Sequence, residues 1–269
     1  MDISEKNILS NDYDIIKETL IFNFKFNKEI SVDIINKSID NKIKKIIFNN
    51  YKNDDINLNS LMTKRLNEYF LDYDHNPEWR GNRFNKSIND LYILDIEHLI
   101  LGVKFNQSVS NLPNTLRSLV LSFEFDKPLD NLPNNLELLC LGCCIKYSQN
   151  LDYLPESLTH LTVPSNFTHN LDNLPQSLKI LDLSKTDLLT YYTITILPNS
   201  LKYILIKYSK DWDKIVDLYK IIKNNNNESI QIIYKENNNS YNIQKDDKKI
   251  KFTSEILNKK TNIFNSIYS

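Results

Sequence analysis

The sequence predicts an α/β solenoid: short strands stacked into a curved parallel sheet, an irregular convex side, and a C-terminal cap of one helix and several strands. Three observations predict it. A Leu-Pro pair recurs five times at spacings of 20 to 23 residues. Each pair is followed by apolar residues at fixed offsets. The last two apolar positions of each copy are separated by one residue, which is the alternation of a strand.

The pairs are Leu112-Pro113, Leu132-Pro133, Leu154-Pro155, Leu174-Pro175 and Leu197-Pro198. Three residues after the prolines stand Leu116, Leu136, Leu158, Leu178 and Leu201. Next come Leu119, Leu139, Leu161, Leu181 and Ile204, and two further on Leu121, Leu141, Val163, Leu183 and Ile206. The frame is L-P-x-x-L-x-x-L-x-L. Proline donates no N–H, so each Pro is expected on the turn before a strand.

Other columns keep step. Phe105, Phe125, Ile145 and Phe167 follow the last strand leucine by four, then Val109, Leu129, Leu151 and Leu171. The frame extends backwards through Ile96-Leu99-Leu101, a looser copy at Leu66, Tyr69 and Leu71, another at Ile43, Ile46 and Phe48, and Leu20-Ile21-Phe22. Repeats are therefore expected from about 15 to 208. The chain divides into degenerate N-terminal repeats and cap (1–90), regular repeats (91–208) and a C-terminal cap (209–269).

Phe105-Asn106-Gln107-Ser108-Val109 followed by Asn111-Leu112-Pro113 and the leucine frame resembles the FNIP repeat. That family is related to leucine-rich repeats and is abundant in social amoebae and in giant viruses that infect amoebae. The resemblance implies a leucine-rich-repeat-like solenoid that works as an interaction module. Some viral relatives carry an N-terminal F-box, which would imply an adaptor that recruits host ubiquitin-ligase machinery. Residues 1 to 18 are too short for an F-box here.

One unit of about twenty residues cannot bury enough apolar surface to offset the ordering of its own backbone, so units must stack. The segments joining strands are short and Asn-rich, so they are expected to be irregular or 3₁₀ rather than helical. Residues 211–223 read as a helix with Trp212, Ile215, Val216, Tyr219 and Ile222 on one face. Residues 229–234, 241–244 and 249–253 read as short strands.

Composition narrows the function. Formal net charge is −1, which supplies no field for nucleic acid or an anionic membrane. Alanine is absent while Asn, Ile and Lys are over-used, so runs such as Asn224 to Asn227 carry little meaning. With three glycines, at 81, 102 and 142, there is no phosphate-cradling loop. No window of 18 apolar residues predicts a membrane span. The first ten residues show no export signal, and Cys140, Cys143 and Cys144 read as thiols in a reducing compartment. The chain is thus expected in the cytoplasm, of the host cell if viral.

The candidate site is the outward stripe of the sheet. Its central positions are Ile100, Val120, Cys140, Thr162, Asp182 and Leu205, continued by Ile21, Ile47 and Phe70. Flanking positions are His98, Ser118, Leu138, His160, Ile180 and Tyr203. An apolar stripe facing water marks a contact surface. The reading is a non-enzymatic scaffold for an unidentified protein partner, with no small-molecule substrate and no cofactor. One cysteine pair does not make a four-ligand zinc site. His98 and His160, three repeats apart, cannot share a proton, and no Ser/His/Asp set is expected from the repeat geometry.

Overall fold

The computed structural model describes residues 12–23, 25–48, 82–141, 144–164, 166–186, 193–207, 212–227, 229–236, 239–246 and 249–253; residues 207, 212–215, 234–236 and those from 239 onward are described by backbone alone. Its strands form one 12-stranded sheet whose spatial order is the chain order, β1 to β12. They are β1 (Tyr13–Ile16), β2 (Thr19–Phe22), β3 (Lys45–Phe48), β4 (His98–Ile100), β5 (Ser118–Val120), β6 (Leu138–Cys140), β7 (His160–Thr162), β8 (Ile180–Leu183), β9 (Tyr203–Lys207), β10 (Gln231–Glu236), β11 (Asn239–Asp246) and β12 (Lys249–Thr253). From β2 to β10 every neighbouring pair is parallel. Antiparallel hairpins close both ends, β1 on β2 and then β11 and β12.

The register is that of the leucine frame. Leu99, Leu119, Leu139, Leu161, Leu181 and Ile204 are successive cross-strand partners. All of them are buried, in one apolar core that runs from Tyr13 to Ile232. Each Leu-Pro begins a tight turn. The Pro113 carbonyl accepts the Leu116 N–H at 3.1 Å, and Pro133, Pro155, Pro175 and Pro198 do the same for Leu136, Leu158, Leu178 and Leu201. Proline fits because this position needs an acceptor and no donor.

The Phe-Asn step has two structural roles. Its rings form a stack through the core: Phe84 on Phe105, Phe105 on Phe125 and Phe125 on Tyr147, with centroids 6.1, 6.3 and 6.1 Å apart. The residue after each ring accepts a backbone N–H from the next coil. Asn85 Oδ1 takes Asn106 N–H (2.8 Å), Asn106 Oδ1 takes Asp126 N–H (2.9 Å), and Asp126 Oδ1 takes Ser148 N–H (2.9 Å). Turn backbone that faces the neighbouring coil is thereby satisfied.

The fourth ring of this stack corrects the expectation for Ile145. Tyr147 fills that column, and Ile145 is 38% exposed. The loop after β6 is two residues longer than its predecessors, so the aromatic arrives two positions later. Cys144 marks the shift: its carbonyl accepts the Tyr147 N–H, as Ser122 does for Phe125.

The β2–β3 connection corrects another. It contains a helix, α1 (Val32–Asp40), where irregular chain was expected. This connection, 23–44, is longer than the 101–117 segment joining β4 to β5. It also carries helix signals: Ser31 caps Ile34 N–H, Asp33 lies in the first turn, and Ile34 and Ile35 bury one face. Before β4 lies a 3₁₀ turn, Asn89–Ile93.

β3 pairs directly with β4, with Lys45 opposite His98. The copy expected at Leu66, Tyr69 and Leu71 lies outside the described residues. Helix α2 (Trp212–Asn224) and β10 to β12 form the C-terminal cap as expected. Its buried face centres on Leu218 and Ile222; Trp212 and Ile215 are described by backbone alone.

Candidate functional site

The strand alternation places the stripe as read. Ile21, Ile47, Ile100, Val120, Cys140, Thr162, Asp182 and Leu205 follow one another across the sheet, and so do Lys45, His98, Ser118, Leu138, His160, Ile180 and Tyr203. Phe70 lies outside the described residues. These side chains point away from the leucine core.

The face is not open to water along its length, which corrects the expectation of a free apolar stripe. Ile100 and Val120 are 2% and 0% exposed, and Leu205 is 0% exposed. Leu138, Cys140, Ile180 and Asp182 are also buried. Ile180, Leu205 and Ile233 form their own small apolar cluster with Tyr203 against it. The half-buried members are Lys45, His98, His160, Thr162 and Tyr203. Neighbouring strands stand about 4.8 Å apart, so branched side chains in one column shield one another.

Charge frames the face on one side. The residue before each strand is Lys44, Glu97, Arg117 or Glu137 in successive coils, so signs alternate. Lys44 lies 3.6 Å from Glu97, and Arg117 pairs with Glu137. The backbone here is regular too. The Glu97 carbonyl accepts both Arg117 and Ser118 N–H, and Arg117 accepts both Glu137 and Leu138 N–H.

Two histidines sit on this face in the neutral form. Burial lowers the His98 pKa, helped by the nearby Lys45 charge. Burial, with Lys179 nearby, brings His160 down to about 4. His160 Nδ1 lies 2.6 Å from Thr159 Oγ1.

His98 Nδ1 lies 2.7 Å from Ser118 Oγ. This Ser–His pair is not among the arrangements expected from the sequence, where only a full Ser/His/Asp set is considered. It was legible in principle, because the two residues occupy the same column in adjacent coils. The pair lacks the third member of a triad: among the described residues no carboxylate hydrogen-bonds His98. Ser118 is 4% exposed, so a substrate carbonyl has no approach to its oxygen. Its chemistry is that of a structural hydrogen bond.

Cys140 and Cys144 are both buried thiols; Cys143 lies outside the described residues. Among the described residues no group of His, Cys, Asp or Glu converges on a metal position, and no helix is long and apolar enough to cross a membrane.

No family model and no curated protein matches the chain. The solved structure of CroV588, described as a novel circular LRR protein, is similar at 26% identity and a TM-score of 0.47. The match covers 74% of this chain and 28% of that one, so the chain spans less than a third of that protein's length. By its own strand register and leucine core, the chain is a leucine-rich-repeat-like β-solenoid with a helix-and-strand cap.

Proposed function

We propose that the chain is a non-enzymatic repeat scaffold that binds another protein through the outward sheet face around β7. One observation carries this reading. His160 and Thr162 are half-buried and reachable, while Leu138, Cys140 and Ile180 beside them are buried. Reachable polar groups set among side chains closed to water, here Leu138, Cys140, Ile180 and Asp182, offer a partner contacts that solvent does not compete for. The polar side chains of the turns support it as well, since many are committed to the neighbouring coil rather than gathered around a reacting atom.

The family resemblance extends the proposal. An FNIP-type module of viral origin would act in the cytoplasm on a host protein, and the ubiquitin-adaptor role would require cullin-type subunits among its partners.

The test is affinity capture from host-type cell extract, followed by binding measurements with each purified partner. Changing His160 to Glu together with Thr162 to Lys should weaken binding about tenfold or more, as loss of an interface centre does. Unchanged affinity in a variant that keeps its melting temperature sinks the assignment to this face. Substitutions at Ile100 or Val120 are unsuitable, because both are buried and a charge there would unfold the coil.

A further inference from the structure

The edge of the solenoid formed by the Leu-Pro turns carries a separate concave feature. A trough of about 430 Å³ crosses two successive turns and is lined by Leu112, Leu132, Asn131, Asn134 and Tyr92 among others. Tyr92 is 58% exposed. One repeat beyond Asn131, in the same column two residues before the proline, stands Tyr153 at 68% exposure. The trough therefore lies between two exposed tyrosines that stand three coils apart.

The amides of the trough differ from their equivalents in later coils. One residue after each proline, Glu156 Oε2 accepts the Gln176 N–H at 3.2 Å and Gln176 Oε1 accepts the Asn199 N–H at 3.1 Å. Asn134 occupies the same position with a side chain one methylene shorter. Among the described residues, the carboxamides of Asn131 and Asn134 make no hydrogen bond. At the trough the rung one residue after the proline is not made, while Asn111 and Asn135 still donate to the Asn89 and Asn114 carbonyls at 3.3 and 2.8 Å.

We propose that this trough binds a neutral oligosaccharide. A carboxamide both donates and accepts, and so does each hydroxyl of a sugar. An exposed Tyr offers a broad apolar face to the C–H side of a pyranose ring while its own hydroxyl stays wet. A peptide would draw its specificity from apolar side-chain pockets, and here Leu112 and Leu132 are each only 7% exposed. Asp130 also lines the trough. Its carboxylate accepts hydroxyl protons and repels an anionic glycan. This proposal stands apart from the protein-binding reading, since it concerns a different edge of the molecule.

The experiment titrates the full chain with cellotetraose, chitotetraose and mannotetraose, followed by calorimetry and ligand-observed NMR. At least one should bind. Tyr92→Ala and Asn131→Ala should each weaken it about tenfold or more, with melting temperatures unchanged, while Ile196→Ala should leave it unaltered. Binding by none of the three, or binding that survives both variants, overturns the proposal. So does capture of peptides at the trough, lost in the same variants, by a chain that binds no sugar.

Discussion

The backbone N–H of Asp126 donates to Oδ1 of Asn106 in the preceding coil, at 2.9 Å. Asn106 in turn donates its own N–H to Asn85, so this residue both donates and accepts in a line that runs from coil to coil. Replacing Asn106 by Ala leaves the Asp126 N–H without its acceptor. The expected loss is about 1–3 kcal/mol, read as a lower urea midpoint with unchanged slope. An unaltered midpoint would show that water replaces the carboxamide at no cost.

The ring stack gives a sharper contrast. Phe125 lies between Phe105 and Tyr147 and is 0% exposed. Phe125→Ala should cost about 3–5 kcal/mol. Ile145→Ala, at the position the repeat frame would assign to the next ring, should cost less than about 0.5 kcal/mol because its side chain faces solvent. Denaturant melts of the two variants decide which residue holds the column.

Gly102 has a neighbour rather than a dihedral as its reason. A Cβ built there would stand 2.6 Å from Asn82 Cβ. Asn82 cannot withdraw cheaply, since its amide donates to the Asn23 carbonyl and its Oδ1 accepts the Phe84 N–H. Gly102→Ala should therefore destabilise by about 1–3 kcal/mol, the usual cost of overpacking. A double-mutant cycle with Asn82→Gly should show that the second change relieves part of the first. Strict additivity would place the strain elsewhere.

Acid should loosen the sheet face before it titrates most carboxylates. His160 has a folded pKa of about 4, set by burial and then by Lys179, against 6.5 for the free group. Between these values the unfolded chain binds more protons than the folded one. Stability therefore rises with pH across that window and falls on acidification from 6.5 towards 4. His98, lowered by burial and Lys45, adds a loss of the same sign. Urea midpoints at pH 7 and pH 5 should differ, and His160→Gln should shrink the difference. An identical difference in the variant would exclude His160 as its source.

Lower still, Asp126 enters. Burial pushes its carboxyl up, but hydrogen bonds from Ser148 and Gln149 outweigh this and hold it below the usual carboxylate value. Its contribution is present above the unfolded value and disappears as pH falls through the folded one. Asp126→Asn should remove part of the midpoint change seen below pH 4. A change of full size in that variant would place the effect on other carboxylates.

The leucine frame made most of the fold legible, because each coil repeats the same demand: two inward residues per strand, one turn leucine, one proline acceptor. Leu119, Leu139 and Leu161 were placed opposite one another from spacing alone, and they are. Spacing failed where coil length changed. Ile145 fitted the count, but the loop after β6 let Tyr147 take the ring position. Alternation identified the outward stripe without revealing its burial, since period-two patterning gives direction and not solvent access. Ile100 and Val120 point outward and are still covered. The His98–Ser118 contact joins adjacent members of one column, a proximity that the spacing of like residues does not display, since the two histidines of that column stand three coils apart.

Strand order that equals chain order has a mechanical consequence. Each coil leans only on the one before and the one after, so no distant segment must find its place before the structure gains stability. Assembly can begin at any well-packed pair of coils and spread both ways. Tension applied at the two termini would peel the molecule from its hairpin-capped ends inward, as a zipper opens, rather than rupture it in one event.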